Sequence, residues 1–179
     1  MNEDERKSDY EKSANEDWRW IVAAHDLAKA AAYLDKLHQN AVEKMYGESG
    51  TVPEGFGMDR QACYFKGKCL ELYLKALYIR NGNPITDGHG VLDKLDGHKL
   101  VELATTAMFD TSNEEKDTLQ KLADAVMFWG TYPVPRESKY WRKNVDGITG
   151  IQLISSWGSA DDSNFFAVKE RLQELLRGS

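Results

Sequence analysis

Apolar residues recur at steps of three and four residues along most of this 179-residue chain, a spacing that places them on one face of an α-helix. Glycine, proline and capping residues bound the segments that show it, and the clearest terminators are Gly47, Asn81-Gly82 and Gly130. The segments are 17–45, 59–80, 99–108, 112–129 and 162–177. The sequence therefore predicts an all-α fold, an up-and-down bundle of about five helices.

The two longest predicted helices, 17–45 and 59–80, are expected to form a pair. The first has alanines on its apolar face, which suits close packing, and the second carries a continuous apolar stripe. The members of that stripe are Phe65, Cys69, Leu72, Tyr73, Ala76 and Leu77. Because the glycine-rich link between the helices is short, we expect them to pack antiparallel, with Leu72 in the core.

The acidic charge of the chain is concentrated at its start. Residues 1–17 hold seven acids and three bases, a net charge of −4 out of −6 for the whole chain, so the body is close to neutral. A segment this polar has little apolar surface to bury. We therefore expect residues 1–16 to be a flexible acidic tail, followed by a single helical domain over residues 17–179. The acidic balance argues against binding nucleic acid over a broad surface.

The sequence shows no sign of membrane insertion or thiol chemistry. No apolar run approaches the roughly 20 residues of a membrane-spanning helix, and the charged start lacks a signal peptide, so we expect a cytoplasmic protein. Cys63 and Cys69 lie six residues apart on one predicted helix, where a disulfide between them would distort the helix. We interpret them as reduced, buried thiols. We predict no metal site and no cofactor.

Residues 131–160 show no clear period, which is unusual for so long a stretch in a small domain. Basic residues in it alternate with aromatic ones, a mixture that can neutralise phosphates and stack on bases. The alternative is a loop that its aromatic residues anchor over the bundle while its charges face water. The candidate contacts to RNA or a nucleotide are Tyr132, Arg136, Lys139, Arg142 and Lys143.

One pattern in the middle of the chain points to a family. The pattern consists of Glu71, Lys75, Ala76 and Leu77, then a glycine turn, then His98-Lys99-Leu100 and Leu103. With Tyr132-Pro133 further on, it resembles the HEPN family (higher eukaryotes and prokaryotes nucleotide-binding domains). Thr131 stands where many members have the arginine of an Arg-Tyr-Pro element. The resemblance covers residues 64–136 and implies an all-helical bundle that dimerises with its site at the subunit interface.

Lys68, Glu71 and Lys75 form a polar strip beside the apolar stripe of the second predicted helix. Glu71 and Lys75 are an i, i+4 pair in the favourable orientation, so a solvated helix edge explains them. The functional alternative is a groove in which Lys68 and Lys75 meet phosphate. His98 matches a histidine common in the family, and we interpret its ring as capping the short helix and packing against the second one.

The catalytic signature of the family is missing from its usual place. Catalytic members resemble metal-independent ribonucleases, which carry an arginine followed four to six residues later by a histidine on a late helix. No histidine follows Arg136. Arg19 and His25 have the spacing, but they lie on the first predicted helix, about 120° apart around its axis. No catalytic residue is therefore predicted.

These observations favour a non-enzymatic, HEPN-like binding or interaction module that forms a homodimer. Partners consistent with the resemblance are RNA, a nucleotide or a separately encoded nucleotidyltransferase. The alternative function is a metal-independent ribonuclease of a host-defence or toxin–antitoxin system, with a degenerate or displaced Arg/His site and an antitoxin as its partner.

Overall fold

The computed structural model of the chain describes residues 2–47, 53–95, 98–128 and 157–178. Within these ranges it contains α-helices, a short 3-10 helix at Asp93–Leu95 and an isolated bridge between Thr86 and Val91, but no β-strand. The α-helices are α1 (Glu3–Ala14), α2 (Asp17–Gly47), α3 (Met58–Arg80), α4 (Leu100–Thr106), α5 (Asn113–Phe128) and α6 (Ser159–Arg177). The predicted all-α fold class is confirmed.

Helices α2 and α3 run antiparallel and form the most extensive helix pair in the described ranges. Arg80, at the end of α3, binds Asp17 at the start of α2, with Nη2 2.6 Å from Oδ2. Nearer the middle of both helices, Lys66 Nζ lies 2.7 Å from Asp35 Oδ2. Residues early in α2 thus meet residues late in α3, which confirms the predicted antiparallel pairing.

Helix α3 is the centre of the fold, since α2, α4, α5 and α6 all pack against it. Small and apolar residues lie on most sides of α3, so it can be covered from several directions. Gly67 lets α5 approach closely, because a Cβ there would lie 2.6 Å from Val126 Cγ2 and 2.8 Å from the carbonyl oxygen of Leu122. The largest fully buried apolar side chains are Tyr73, Leu70, Leu74, Ile85, Leu100, Leu119, Leu122, Leu172 and Val168.

The apolar stripe predicted on α3 is only partly correct. Cys69 and Tyr73 are fully buried, and both cysteines are buried free thiols as predicted. Leu72 is only partly buried at the edge of the core, whereas Leu70 and Leu74 have no exposed surface. The prediction for Leu72 is wrong because residues two apart in a helix lie about 160° from each other around its axis, so Leu72 falls on the side of α3 away from Leu70 and Leu74.

A helix occupies the start of the chain, where we expected no helix before about residue 16. α1 begins with a capping box: Asn2 Oδ1 accepts from the Glu5 N–H at 2.8 Å, and Glu5 Oε2 accepts from the Asn2 N–H at 2.9 Å. Acidic residues in its first turn complement the helix dipole, and none of its residues is buried. The expectation that no helix forms here is wrong, because it rested on the overall polar composition of the segment and did not consider the capping box at its start. The domain boundary at residue 16 stays a prediction.

The remaining predicted helices differ from the structure mainly at their ends. α4 stops at Thr106, close to Met108, whose φ of 55° is left-handed. α6 begins at Ser159, earlier than predicted, because Asp161 Oδ2 accepts from the Gly158 N–H at 3.0 Å and caps its start. None of the helices in the described ranges is long and apolar enough to cross a membrane.

Candidate functional site

Helix α3 presents Lys68, Glu71 and Lys75 on one side, because they are three and four residues apart. Glu71 is their centre: Oε2 accepts from Lys68 Nζ at 2.9 Å, and Oε1 accepts from Lys75 Nζ at 2.8 Å. His98, which precedes α4, places Nδ1 2.8 Å from the same Oε2. The structure therefore joins these four predicted site residues in one group, the Glu71 cluster.

The Glu71 cluster is buried at its centre, so the expectation of a solvated helix edge is wrong. Glu71 is 2% exposed and Lys75 is 5% exposed. Lys75 Nζ also lies 5.6 Å from the centre of the Trp20 ring of α2. Burying one charge is costly, but here each buried charge has its opposite within hydrogen-bond distance.

The carboxyl group of Glu71 is held in its charged form. Burial alone would raise its pKa, but the hydrogen bond with His98 and the charge of Lys75 outweigh burial and hold the pKa of Glu71 well below its usual value. A carboxylate so firmly ionised is a poor general base at neutral pH. Because one carboxylate serves two ammonium groups and an imidazole, the cluster carries excess positive charge.

His98 reaches Glu71 through an unusual backbone conformation. Its φ of 58° lies in the left-handed region, which turns the chain just before α4. The predicted packing of its ring against the second predicted helix is confirmed. The predicted capping is wrong: Lys99 is the N-cap residue, and the side chain of Lys99 makes no capping bond. The ring of His98 is engaged by Glu71 instead.

Lys68 and His98 form the partly exposed edge of the Glu71 cluster. Their side chains are 23% and 36% exposed. Lys75 is buried against Glu71, so its predicted contact with phosphate would require a rearrangement of the cluster. As it stands, the cluster fastens the start of α4 to α3.

A second buried charge cluster, which the sequence analysis missed, surrounds Lys66 of α3. Nζ lies 2.7 Å from Asp35 Oδ2 of α2 and 2.8 Å from Asp162 Oδ1 of α6. Trp157 Nε1 donates to the same Asp162 oxygen at 2.9 Å, and the Trp157 ring centre lies 5.1 Å from Nζ. Lys66 is 2% exposed. This Lys66 cluster joins three helices.

Burial and hydrogen bonding set the protonation states of Lys66 and of the two cysteines of α3. Burial would lower the pKa of Lys66, but its hydrogen bonds to Asp162 and Asp35 outweigh burial and raise that pKa, so the ammonium stays charged. Burial raises the pKa values of Cys63 and Cys69 to about 12. Neither thiol is therefore a nucleophile at neutral pH.

The structure does not bring Arg19 and His25 together. Arg19 Nε donates to Glu16 Oε2 at 2.5 Å. His25 instead borders a cavity of about 70 Å³, the inter-helix cavity, which sequence reasoning missed because its walls come from α2, α3 and α6. It is lined by Ile21, His25, Tyr73, Gln173, Leu176 and Arg177.

Exposed apolar side chains follow one line along α2. Trp18, Val22 and Tyr33 are 52%, 53% and 64% exposed. Asp26 and Lys29 lie between them, with Lys29 Nζ 3.3 Å from Asp26 Oδ1. Steps of three and four residues put all five on one face of the helix. We call this face the outer strip.

The other predicted contacts fall outside the described residues. They are those of the basic loop, Tyr132, Arg136, Lys139, Arg142 and Lys143. Within the part of the chain that the structure describes, no group of three or more His, Cys, Asp or Glu side chains could hold a metal ion. No family model, curated protein or solved structure matches this chain.

Proposed function

We propose that this chain is a non-enzymatic helical interaction module of the cytoplasm that forms a homodimer, in which the outer strips of two copies pair antiparallel. The observation that carries the proposal is the self-complementary order of the residues in the strip. The resemblance to HEPN domains supports self-association independently.

Four residues of the outer strip are spaced symmetrically about its middle. Val22, Asp26, Lys29 and Tyr33 are separated by steps of four, three and four residues, the spacing found along the seam of a helix pair. In an antiparallel pair with its two-fold axis between residues 27 and 28, Asp26 of each copy lies opposite Lys29 of the other. Val22 then lies opposite Tyr33. A two-fold interface needs this kind of self-complementarity.

The same pairing extends towards both ends of the strip. Trp18 of one copy lies close to Lys36 of the other, where an exposed ammonium can rest on the indole ring. Pairing would also remove Trp18, Val22 and Tyr33 of each copy from water. Complete burial of such a side chain contributes on the order of 1.5–3 kcal/mol.

The buried charge clusters support a module in preference to an enzyme. Glu71 and Lys66 are bound to partners inside the fold and are held in their charged forms. Groups in this state are suited to holding helices in place, and a firmly placed α2 is what a helical docking face requires. RNA, a nucleotide, a nucleotidyltransferase or an antitoxin are the further partner classes that we propose from the resemblance, with the basic loop as the contact.

Charge reversal within the strip tests the proposal by analytical ultracentrifugation at micromolar concentrations. We expect a dimer for the wild type. Asp26→Lys places lysines opposite lysines, and Lys29→Asp places aspartates opposite aspartates, so each single variant should sediment as a monomer. The double variant restores opposite charges across the axis and should recover the dimer. Glu170→Lys, on the exposed side of α6, serves as the matched control and should dimerise normally.

A wild type that sediments as a monomer throughout this range would refute the homodimer. If the wild type dimerises and both single variants dimerise equally well, the dimer exists but does not use the outer strip. Circular dichroism of each variant checks that the helices are retained.

A further inference from the structure

We infer that a groove between the end of α4 and the end of α6 docks a short peptide segment of a partner protein, one that carries apolar side chains next to lysine or arginine. We call it the α4–α6 groove. It shares no lining residue with the outer strip, so the inference goes beyond the proposed homodimer and does not depend on it. Its main lining residues are Met108, Phe109 and Asp110 after α4, and Arg171, Glu174 and Leu175 of α6.

Met108 has a backbone conformation that favours glycine. It directly follows Ala107, the C-cap residue of α4, and its φ is 55°. The Met108 N–H donates to the carbonyl oxygen of Thr105 at 3.1 Å. The Phe109 N–H donates to that of Ala104 at 2.9 Å, which completes a Schellman motif. Because this motif needs a left-handed residue, a methionine here costs stability that a glycine would not.

The side chain of Met108 contributes little to the core. It is 70% exposed, the highest value among the large apolar side chains in the described ranges. Leu175, on the α6 side of the same groove, is 50% exposed. Methionine adapts its shape to different partners and is enriched in interfaces. A strained backbone that carries an exposed apolar side chain at a groove therefore points to contact with another molecule.

Arg171 fixes the two sides of the groove to each other. Its Nη2 lies 2.9 Å from Glu115 Oε1 and 2.8 Å from Glu115 Oε2, and it also donates to the carbonyl oxygen of Asp110 at 3.3 Å. The Arg171 Cζ atom lies 4.9 Å from the centre of the Phe109 ring. The groove is thus formed before any partner arrives, which lowers the entropic cost of binding.

The charge that remains in the groove is negative. Glu115 balances the charge of Arg171. No residue in the described ranges forms an ion pair or a side-chain hydrogen bond with the carboxylates of Asp110 and Glu174. A lysine or arginine of the partner would complement these two carboxylates, while its apolar side chains would cover Met108 and Leu175. This complementarity selects a segment that is both apolar and basic.

The size of the groove suits a peptide segment. Its volume is about 580 Å³, within the range of roughly 300–1,000 Å³ that is usual for ligand sites. An enclosed space of about 150 Å³ accommodates one benzene ring. The groove therefore has room for several side chains.

Fluorescence anisotropy with three labelled octapeptides tests the inference on the full chain. The first has two central leucines flanked by lysines. The second replaces the lysines with glutamates, and the third replaces the leucines with serines. We expect the first peptide to bind with a dissociation constant below about 1 mM. The other two should bind at least about tenfold more weakly, because each lacks one of the two kinds of contact.

Met108→Gly separates the role of the side chain in binding from its effect on the fold. Glycine is unstrained at a φ of 55°, so the melting temperature should rise by a few degrees. Binding of the leucine–lysine peptide should weaken several-fold. A lower melting temperature would mean that Met108 serves the core, and unchanged peptide affinity would mean that it does not contact the peptide. Either result would overturn the inference.

Leu175→Ser and Phe166→Ser form a matched pair on α6. Phe166 is 45% exposed, but it lies nine residues from Leu175, about 180° around the helix axis. The Leu175 variant should lose affinity for the leucine–lysine peptide, and the Phe166 variant should bind like the wild type. Equal affinities for the three peptides, or equal losses in the two variants, would refute the docking site. The charge-reversal variants of the outer strip leave the groove intact and should bind normally.

Discussion

Single residues of α3 determine how this protein accommodates charge in its interior. Lys66, Glu71 and Lys75 are each at most 5% exposed, although side chains of these types are seldom buried. Each of them has an oppositely charged partner at hydrogen-bond distance. Removing one partner of such a pair leaves the other as an uncompensated charge shielded from water. The stability of the fold therefore depends on these buried ion pairs.

Glu71→Gln should lower the free energy of unfolding by about 3–5 kcal/mol at neutral pH, because Lys75 loses its counter-charge inside the protein. Folding holds the pKa of Glu71 below its unfolded value of about 4.5. The stability that Glu71 contributes is therefore fully present above that pH and is lost as the pH falls towards the folded pKa. The gap between wild type and variant should stay constant near neutrality and narrow below about pH 4.5.

Urea unfolding at a series of pH values from neutral to acid measures this gap. Glu102→Gln is the matched control, since its pair with Lys99 is exposed and should contribute little. A gap that stays the same in acid would mean that the charge of Glu71 does not stabilise the fold.

Leu74→Ala and Leu72→Ala form a second test at single positions. Leu74 is fully buried, so its truncation should cost about 2–5 kcal/mol, while that of the partly buried Leu72 should cost clearly less. Chemical denaturation of both variants gives the two values. A larger loss for Leu72 would contradict the packing of α3 described above.

Burial could be predicted from the sequence for several apolar residues of α3, although not for Leu72, and for none of its charged residues. The burial of Cys63 and Cys69 follows from their place on an apolar helix. In the sequence, Glu71 and Lys75 look like an ion pair on the surface of a helix. Their burial depends on contacts with His98 and Trp20, which are distant from them in the sequence. Such partners are brought together only by tertiary packing.

The packing of α5 against α3 depends on Gly67, the position at which the backbones approach. In a helix, alanine is favoured over glycine by about 1 kcal/mol, so propensity alone predicts that Gly67→Ala stabilises the protein. Its new Cβ, however, would lie 2.8 Å from the backbone oxygen of Leu122, which cannot move without shifting α5. We expect a net loss of about 1–2 kcal/mol.

Thermal unfolding of Gly67→Ala compared with Gln61→Ala checks this expectation. Gln61 lies on the exposed side of the same helix, so that variant isolates helix propensity from packing. A higher melting temperature for Gly67→Ala would show that α5 can move away at little cost.

The positions of most helices could be predicted because their apolar period is long and regular. α1 escaped prediction since it has no apolar face, and its start depends on the reciprocal bonds of Asn2 and Glu5. The ends of α4 and α6 were missed for a similar reason: a left-handed residue at Met108 and a cap at Asp161 are single-residue features. Periodicity locates the middle of a helix better than its ends.

For the molecule as a whole, we expect no cleavage of RNA without metal ions. Arg19 and His25 have the spacing of the family's pair, but Arg19 is bound to Glu16. The Nδ1 of the other candidate, His98, is held by Glu71. The assay uses a labelled single-stranded RNA in EDTA with wild type, His25→Ala and His98→Ala. Cleavage that disappears in either folded variant would establish an enzyme and refute the proposed module.

The positions of the Lys66 cluster in the sequence determine when its contacts can form during synthesis. Lys66 and Asp35 emerge together as α2 and α3 form, but Asp162 lies 96 residues beyond Lys66. At typical rates of synthesis those residues take roughly 5–20 s to add. During that interval Lys66 has Asp35 as a partner but lacks Asp162 and the ring of Trp157. Asp35 alone balances the charge of Lys66, so what α6 adds is a second hydrogen-bond acceptor for the ammonium group.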